Sequence, residues 1–186
     1  MKTKRFQKKF PHLSSLLKDC FGLKFDRKQK SLLEQYDCPL HNAGNLSVAI
    51  YRIQREYFLS QGEDDFLKIL SIVQSQYTAS LIYYSADIGK NFTLVHSYGT
   101  VIGSKIIIGD DCFVYHNVTI GARYESTNER PTIGDHVTIY AGAKILGQIK
   151  IGDRAVIGAN SVVINDVAPG EIWAGVPARL VRRKQI

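Results

Sequence analysis

Three of the five histidines, His96, His116 and His136, follow one another at intervals of twenty residues. Imidazole is the side chain best tuned to accept a proton near neutral pH, so a histidine beside a hydroxyl makes a candidate general base. His96 and His116 each stand two residues past an aliphatic, Leu94 and Val114, whereas His136 stands three past Ile133. That spacing does not make a metal set, and no metal is expected. The cysteines Cys20, Cys38 and Cys112 lack CxxC spacing. They read as structural thiols of a reducing compartment, with neither a disulfide frame nor a zinc knuckle.

The elements that position these residues fall into two regimes. Up to residue 80 the apolar residues keep helical spacing. Leu46, Ile50, Ile53, Tyr57 and Phe58 mark one helix, and Phe66, Ile69, Leu70, Ile72 and Val73 another, with Gly62 as a stop between them. A shorter helix is expected over Leu13 to Phe21. We divide the chain into an α-helical region (1–80), a β domain (81–175) and a C-terminal tail (176–186).

In the β domain the dipeptide Ile-Gly occurs seven times, from Ile88-Gly89 to Ile157-Gly158. One aliphatic series runs Ile88, Leu94, Ile102, Ile108, Val114, Ile120, Ile133, Ile139, Ile145, Ile151, Ile157, Val163. Its step is six, except for two extra residues after Leu94 and seven after Ile120. A second inward series, Cys112, Val118, Val137, Ala143, Ile149, Ala155 and Ser161, sits two residues earlier. Six residues per side with two pointing inward describe a three-sided parallel β-helix of hexapeptide repeats. An amphipathic helix would need a 3.6-residue period instead. The Gly or small polar residue after each aliphatic is expected to turn the corner at positive φ. In this register His96, His116, Ala141 and Ala159 should stack in one column at about 4.8 Å per coil.

The segments Leu94-Val95-His96-Ser97-Tyr98-Gly99, Ala141-Gly142-Ala143-Lys144-Ile145-Leu146-Gly147, Ile157-Gly158-Ala159-Asn160-Ser161 and Ala174-Gly175-Val176-Pro177-Ala178-Arg179 resemble the hexapeptide acyltransferases. The likeness is greatest to serine O-acetyltransferases and their polysaccharide-modifying relatives. This resemblance implies a left-handed coil, a homotrimer with active sites between neighbouring β-helices, and acetyl-CoA as donor. It places the catalytic base at His96 and the coenzyme at Ala141, Gly142, Ala159 and Arg179. His116 is expected as the second histidine of the site, supporting the base or holding the acceptor. Tyr98 and the polar excursion Ala122 to Arg130, through Arg123 and Arg130, are expected to bind the acceptor. A zinc site of the γ-carbonic-anhydrase kind would need two histidines five apart, which this chain lacks.

Three departures bear on the acceptor. Where serine acetyltransferases carry an Asp fifteen residues before the base, this chain has Leu81; where they carry one just before it, Val95; and their Arg-His-Pro segment reads Glu129-Arg130-Pro131. A sugar of a surface polysaccharide or its precursor is therefore the favoured acceptor. Free serine is the alternative, and a non-catalytic β-helix scaffold a further one. Tyr83, Tyr84, Asp87 or a backbone carbonyl is expected to orient His96. The net charge of +7 is concentrated before residue 31, with ten basic residues there against Asp19 and Asp26. It suits an anionic glycan or the inner membrane surface. No nucleic-acid motif accompanies it. Nothing in the sequence reaches a spanning length, and a cytoplasmic location is expected, with peripheral membrane contact at most.

Overall fold

The computed structural model describes residues 43–124 and 129–183. The basic N-terminal stretch, Cys20, Cys38 and the helix expected over Leu13 to Phe21 lie outside the described residues, as does the middle of the 122–130 excursion.

Two helices open the described chain, α1 (Ala43–Gln61) and α2 (Asp65–Thr78). Asp64 starts α2: its Oδ1 accepts from the Leu67 backbone N–H at 3.3 Å, and its Oδ2 accepts from the Tyr57 hydroxyl at 2.6 Å. The cap thus also ties α2 to the end of α1. Leu46, Ile50, Ile53 and Tyr57 of α1 bury against Phe66, Leu67, Leu70 and Val73 of α2, as the helical spacing requires. Ile72, counted with them in sequence, is 54% exposed and faces outward.

The pair then docks on the first coil through buried polar atoms. Gln74 donates to the Ser47 carbonyl at 2.9 Å and accepts from the Ile82 N–H at 3.0 Å. The Tyr51 hydroxyl donates to the Ala86 carbonyl at 2.9 Å and accepts from the Ile88 N–H at 3.1 Å. These bonds satisfy backbone groups that the open top of a β-helix would otherwise leave unpaired.

The β domain is a left-handed parallel β-helix with three faces. One sheet stacks β1 (Leu81–Ile82), β4 (Val101–Ile102), β7 (Thr119–Gly121), β10 (Lys144–Leu146) and β13 (Val162–Val163). The second stacks β2 (Asp87–Ile88), β5 (Ile107–Ile108), β8 (Thr132–Ile133) and β11 (Lys150–Ile151). The third stacks β3 (Thr93–Leu94), β6 (Phe113–Val114), β9 (Thr138–Ile139) and β12 (Val156–Ile157), and ends on β14 (Glu171–Gly175) and β15 (Ala178–Arg183). Both inward series are buried without exception, from Ile88 to Val163 and from Cys112 to Ser161. Burial pushes the Cys112 thiol up to about 11, which makes it the inert structural thiol expected.

The corners correct one expectation. The glycines of the Ile-Gly pairs do not take positive φ; that conformation falls two residues further on, at Asn91, Asp111, His136 and Arg154. At Gly89, Gly109, Gly134 and Gly152 glycine is needed instead because the next coil approaches too closely for a Cβ. At Gly109 a Cβ would lie 2.1 Å from Asp135 Oδ1 and 2.7 Å from the Gly134 carbonyl carbon. The same Asp135 oxygen accepts from the Asp110 N–H at 2.8 Å, so the aspartate ladder fills the space that the glycine leaves. Gly109→Ala should lower stability by about 1–3 kcal/mol, read as a lower urea midpoint at unchanged slope.

The segment from residue 176, expected as a tail, is the returning arm of a hairpin. β15 pairs antiparallel with β14, Ala174 opposite Arg179. Glu171 fastens it. Its Oε2 accepts from the Trp173 indole N–H at 2.8 Å and the Ala168 N–H at 3.1 Å, and its Oε1 pairs with Arg183 at 3.1 Å. The indole bond, with the others, holds the Glu171 carboxyl below the usual carboxylate range.

Candidate active site

The third face leads into the corner that carries both histidines. Leu94 pairs with Val114, Val114 with Ile139 and Ile139 with Ile157, which is the register read from the sequence. Past these aliphatics the ladder continues through the corner. The Gly142 N–H donates to the His116 carbonyl at 2.9 Å, and the Asn160 N–H to the Ala141 carbonyl at 2.8 Å. His116, Ala141 and Ala159 therefore do form one column. Gly142 beside it has φ +78, and a Cβ there would strike Asn160 Oδ1 at 2.0 Å, so this corner admits only glycine.

His96 does not head that column in the backbone. The Asn117 N–H donates to the Tyr98 carbonyl at 2.7 Å, just as Gly142 donates to His116, so Tyr98 is the ladder equivalent of His116. Val95 donates to Val114 as Tyr115 does to Ile139. The two residues between, His96 and Ser97, are the two extra ones seen in the spacing. They form a small protrusion from the corner. His96 lies at φ +55 in the left-handed region, a conformation that costs a non-glycine residue roughly 1–3 kcal/mol and must be held by its surroundings. Ser97 holds it: its side chain is fully buried and its Oγ donates to the Thr78 carbonyl at 3.0 Å. The end of α2 thus fixes the turn that presents His96. Ser97 was not singled out in the sequence, although the insertion that creates its role was visible there.

The protrusion still brings the two imidazoles together, with ring centroids 6.1 Å apart in an edge-to-face arrangement. His96 is exposed, and His116 is half-buried with its Nδ1 sealed and unpartnered. Tyr98 is 59% exposed at the same corner. Tyr115 and Tyr140 follow Val114 and Ile139 and pack on each other at 5.0 Å, forming an aromatic wall beside the column. Among the described residues no group of three or more His, Cys, Asp or Glu side chains could hold a metal ion.

Several expected neighbours lie elsewhere in the chain. Tyr83, Tyr84 and Asp87 sit where the first sheet turns into the second, across the coil from His96. Asp87 pairs with Arg55 at 3.4 Å and Tyr84 packs on Phe58 at 5.2 Å, so they do not orient His96 within one chain. Arg123 and Arg130 flank the excursion between β7 and β8, also at that other corner. Arg123 stacks on Tyr124 at 5.5 Å, and Arg130 donates to the Ser104 carbonyl at 3.0 Å and the Glu129 carbonyl at 2.9 Å. Arg179 is exposed on β15, opposite Ala174 of β14, and donates to the Ala178 carbonyl at 2.9 Å. Leu81, on β1, and Val95, just past β3, are half-buried and apolar.

Comparison with known proteins gives one consistent set. The family Bacterial transferase hexapeptide (six repeats) matches residues 130–165. The chain is 40% identical over 128 residues to a serine acetyltransferase of Mycobacterium tuberculosis, a match covering 68% of this chain and 53% of that protein. It is 34% identical over 139 residues to a serine acetyltransferase of Helicobacter pylori strain J99, covering 74% of this chain and 77% of the relative. The structure of serine acetyltransferase in complex with coenzyme A from Brucella abortus strain S19 superposes with a TM-score of 0.74 at 32% identity, over 78% of this chain and 58% of that one. The chain spans about half the length of the mycobacterial relative.

Proposed function

We propose, on the premise that this chain belongs to the hexapeptide-repeat serine acetyltransferase family, that it transfers an acetyl group from acetyl-CoA to the hydroxyl of serine. The observation that carries the chemistry is His96, held out of the corner on a buried anchor with its ring 6.1 Å from that of His116, whose column continues through Ala141 and Ala159. The acceptor hydroxyl gives its proton to the His96 imidazole as its oxygen attacks the thioester carbon. The C–S bond then breaks, and the departing thiolate takes the proton back. The column past Ala141, Gly142 and Ala159 is the path for the pantetheine arm, with Arg179 at its phosphate end. The likeness to a coenzyme A complex supports that path.

A single chain leaves the histidine corner open and carries Arg123 and Arg130 at a different one. The reading includes assembly as a homotrimer, which sets the excursion of one copy against the histidines of the next and completes the acceptor pocket. Glu129 of the neighbouring copy then stands in for the acids missing at Leu81 and Val95, and Arg130 offers a cation to serine's carboxylate. Among the described residues no helix is long and apolar enough to cross a membrane; the basic stretch behind the expected peripheral contact lies outside them.

The preference for a sugar acceptor yields to serine because the similar proteins of the matched region are serine acetyltransferases. Leu81 and Val95 alone keep the sugar as a second reading, since they leave an apolar surface where serine's ammonium would need a partner. A direct comparison separates the two: kcat/KM for serine and for neutral and acidic oligosaccharides, with the purified protein and acetyl-CoA. Serine acetylation above about 10⁴ M⁻¹s⁻¹ is expected. A larger value for an oligosaccharide would transfer the assignment to the sugar.

A further inference from the structure

A general base must be aimed, and nothing in the side chains around His96 aims it. Among the described residues the only histidine–carboxylate pair is His136 with Asp111, at another corner. The side chains of Leu81 and Val95 carry no hydrogen-bonding group. Within one chain the direction of the imidazole is therefore set through the backbone that bears it.

That backbone is gripped by the end of α2. A helix leaves its last carbonyls without partners inside the helix, and the protrusion takes two in succession. The Thr78 carbonyl accepts from Ser97 Oγ at 3.0 Å, and the Ala79 carbonyl accepts from the Gly99 N–H at 2.6 Å. Behind them the bonds run on through buried hydroxyls. Thr78 Oγ1 lies 2.8 Å from Ser80 Oγ, which lies 2.8 Å from Ser47 Oγ on α1. On the other side Thr100, also buried, ties Ser97 to the coil. Its N–H donates to the Ser97 carbonyl at 3.1 Å, and its hydroxyl donates to the Tyr115 carbonyl at 3.0 Å. Ser97 is thus fastened by its side chain to the helices and by its carbonyl to the next turn of chain. His96 and Ser97 share one planar peptide, so fixing Ser97 fixes the plane from which the His96 side chain projects.

We propose that Ser97 is the positioning residue of His96: through the Ser97 hydroxyl the end of α2 holds the imidazole at the acceptor oxygen, in place of a side-chain carboxylate. The helix pair is then part of the catalytic apparatus as well as a cover for the first coil. This assignment rests on the acetyl-transfer reading with His96 as base. It adds a residue that touches neither substrate and acts only through the base.

The test uses the full chain in its native assembly, with acetyl-CoA and the acceptor, serine or oligosaccharide, that the wild type acetylates. Ser97→Ala should lower kcat about 10–100-fold, since a reacting group misplaced by about 1 Å loses up to 10²-fold. The KM for the acceptor and the Kd for coenzyme A should stay within about threefold, because Ser97 contacts neither. Adding Ser97→Ala to His96→Ala should cost no more than about twofold further, because two residues that act as one unit do not add. Ser97→Cys, which nearly keeps the volume with a weaker donor, should lose less of kcat than the alanine variant. It carries the same comparison with His96→Ala if the alanine variant does not fold. A folded, assembled variant whose kcat stays within about threefold of wild type overturns the inference. So does a loss shared equally by coenzyme A affinity, or one that persists in full beside His96→Ala, since Ser97 would then shape the corner at large. A wild type that acetylates neither serine nor any oligosaccharide brings down the acetyl-transfer reading itself, and this inference with it.

Discussion

His96→Ala is expected to reduce acetyl transfer by about 10²–10⁴-fold, the range that a positioned general base supplies. The coenzyme should still bind with nearly wild-type affinity, because the column of Ala141 and Ala159 and the strand carrying Arg179 belong to other coils. His96 is exposed, so its removal leaves no cavity, and the melting temperature should not fall. Stability should change little, since alanine carries the same Cβ strain at φ +55 as the histidine it replaces. The measurements are steady-state kinetics beside calorimetric titration of coenzyme A. A variant retaining more than about a tenth of the wild-type rate would assign the base to another group, and His116 would be the first to examine.

What the sequence revealed and what it withheld divide along physical lines. The two inward series follow from a strict six-residue step, and every member is buried, because one misplaced side chain in so narrow a coil has no room. The helix pair was legible for a similar reason, its apolar stripe repeating at 3.6 residues. The role of the Ile-Gly glycines was misread. Their need is set by the distance to the next coil, as at Gly109 and Asp135, and a one-dimensional pattern carries no such distance. The two extra residues after Leu94 were counted, but their placement was not. Only the ladder bonds show that His96 and Ser97 are the inserted pair and that Tyr98 takes the place in the column. The failure of Tyr83, Tyr84 and Asp87 as partners of His96 has the same origin. They are near it in sequence, yet one face of the coil separates them. The C-terminal segment was read as a tail because β15, outside the hexapeptide step, shows outward side chains along nearly all of its length.

Ile139→Asp should abolish the cooperative fold. Ile139 is fully buried at the middle of the third face, paired with Val114 above and Ile157 below. Replacing it first loses the burial of a large aliphatic, worth about 1.5–3 kcal/mol. It then places a carboxylate among aliphatic neighbours, and an unpaired polar group there costs several kcal/mol more even after protonation. The sum is comparable to the whole stability of an ordinary domain, about 5–15 kcal/mol. A β-helix has little means of containing the damage locally. Each coil contacts only the coils above and below, so a coil that opens in the middle leaves two short stacks, each with a raw end. The histidine corner and the hairpin bearing Arg179 lie on opposite sides of this break, and coenzyme binding should vanish with the fold. Thr132→Asp, on an adjacent face with an exposed side chain, should change stability by no more than about 0.5 kcal/mol. Circular dichroism and urea titration of both variants decide the matter: an Ile139→Asp protein that still unfolds cooperatively near the wild-type midpoint would mean that the inward series does not carry the stability of the coil.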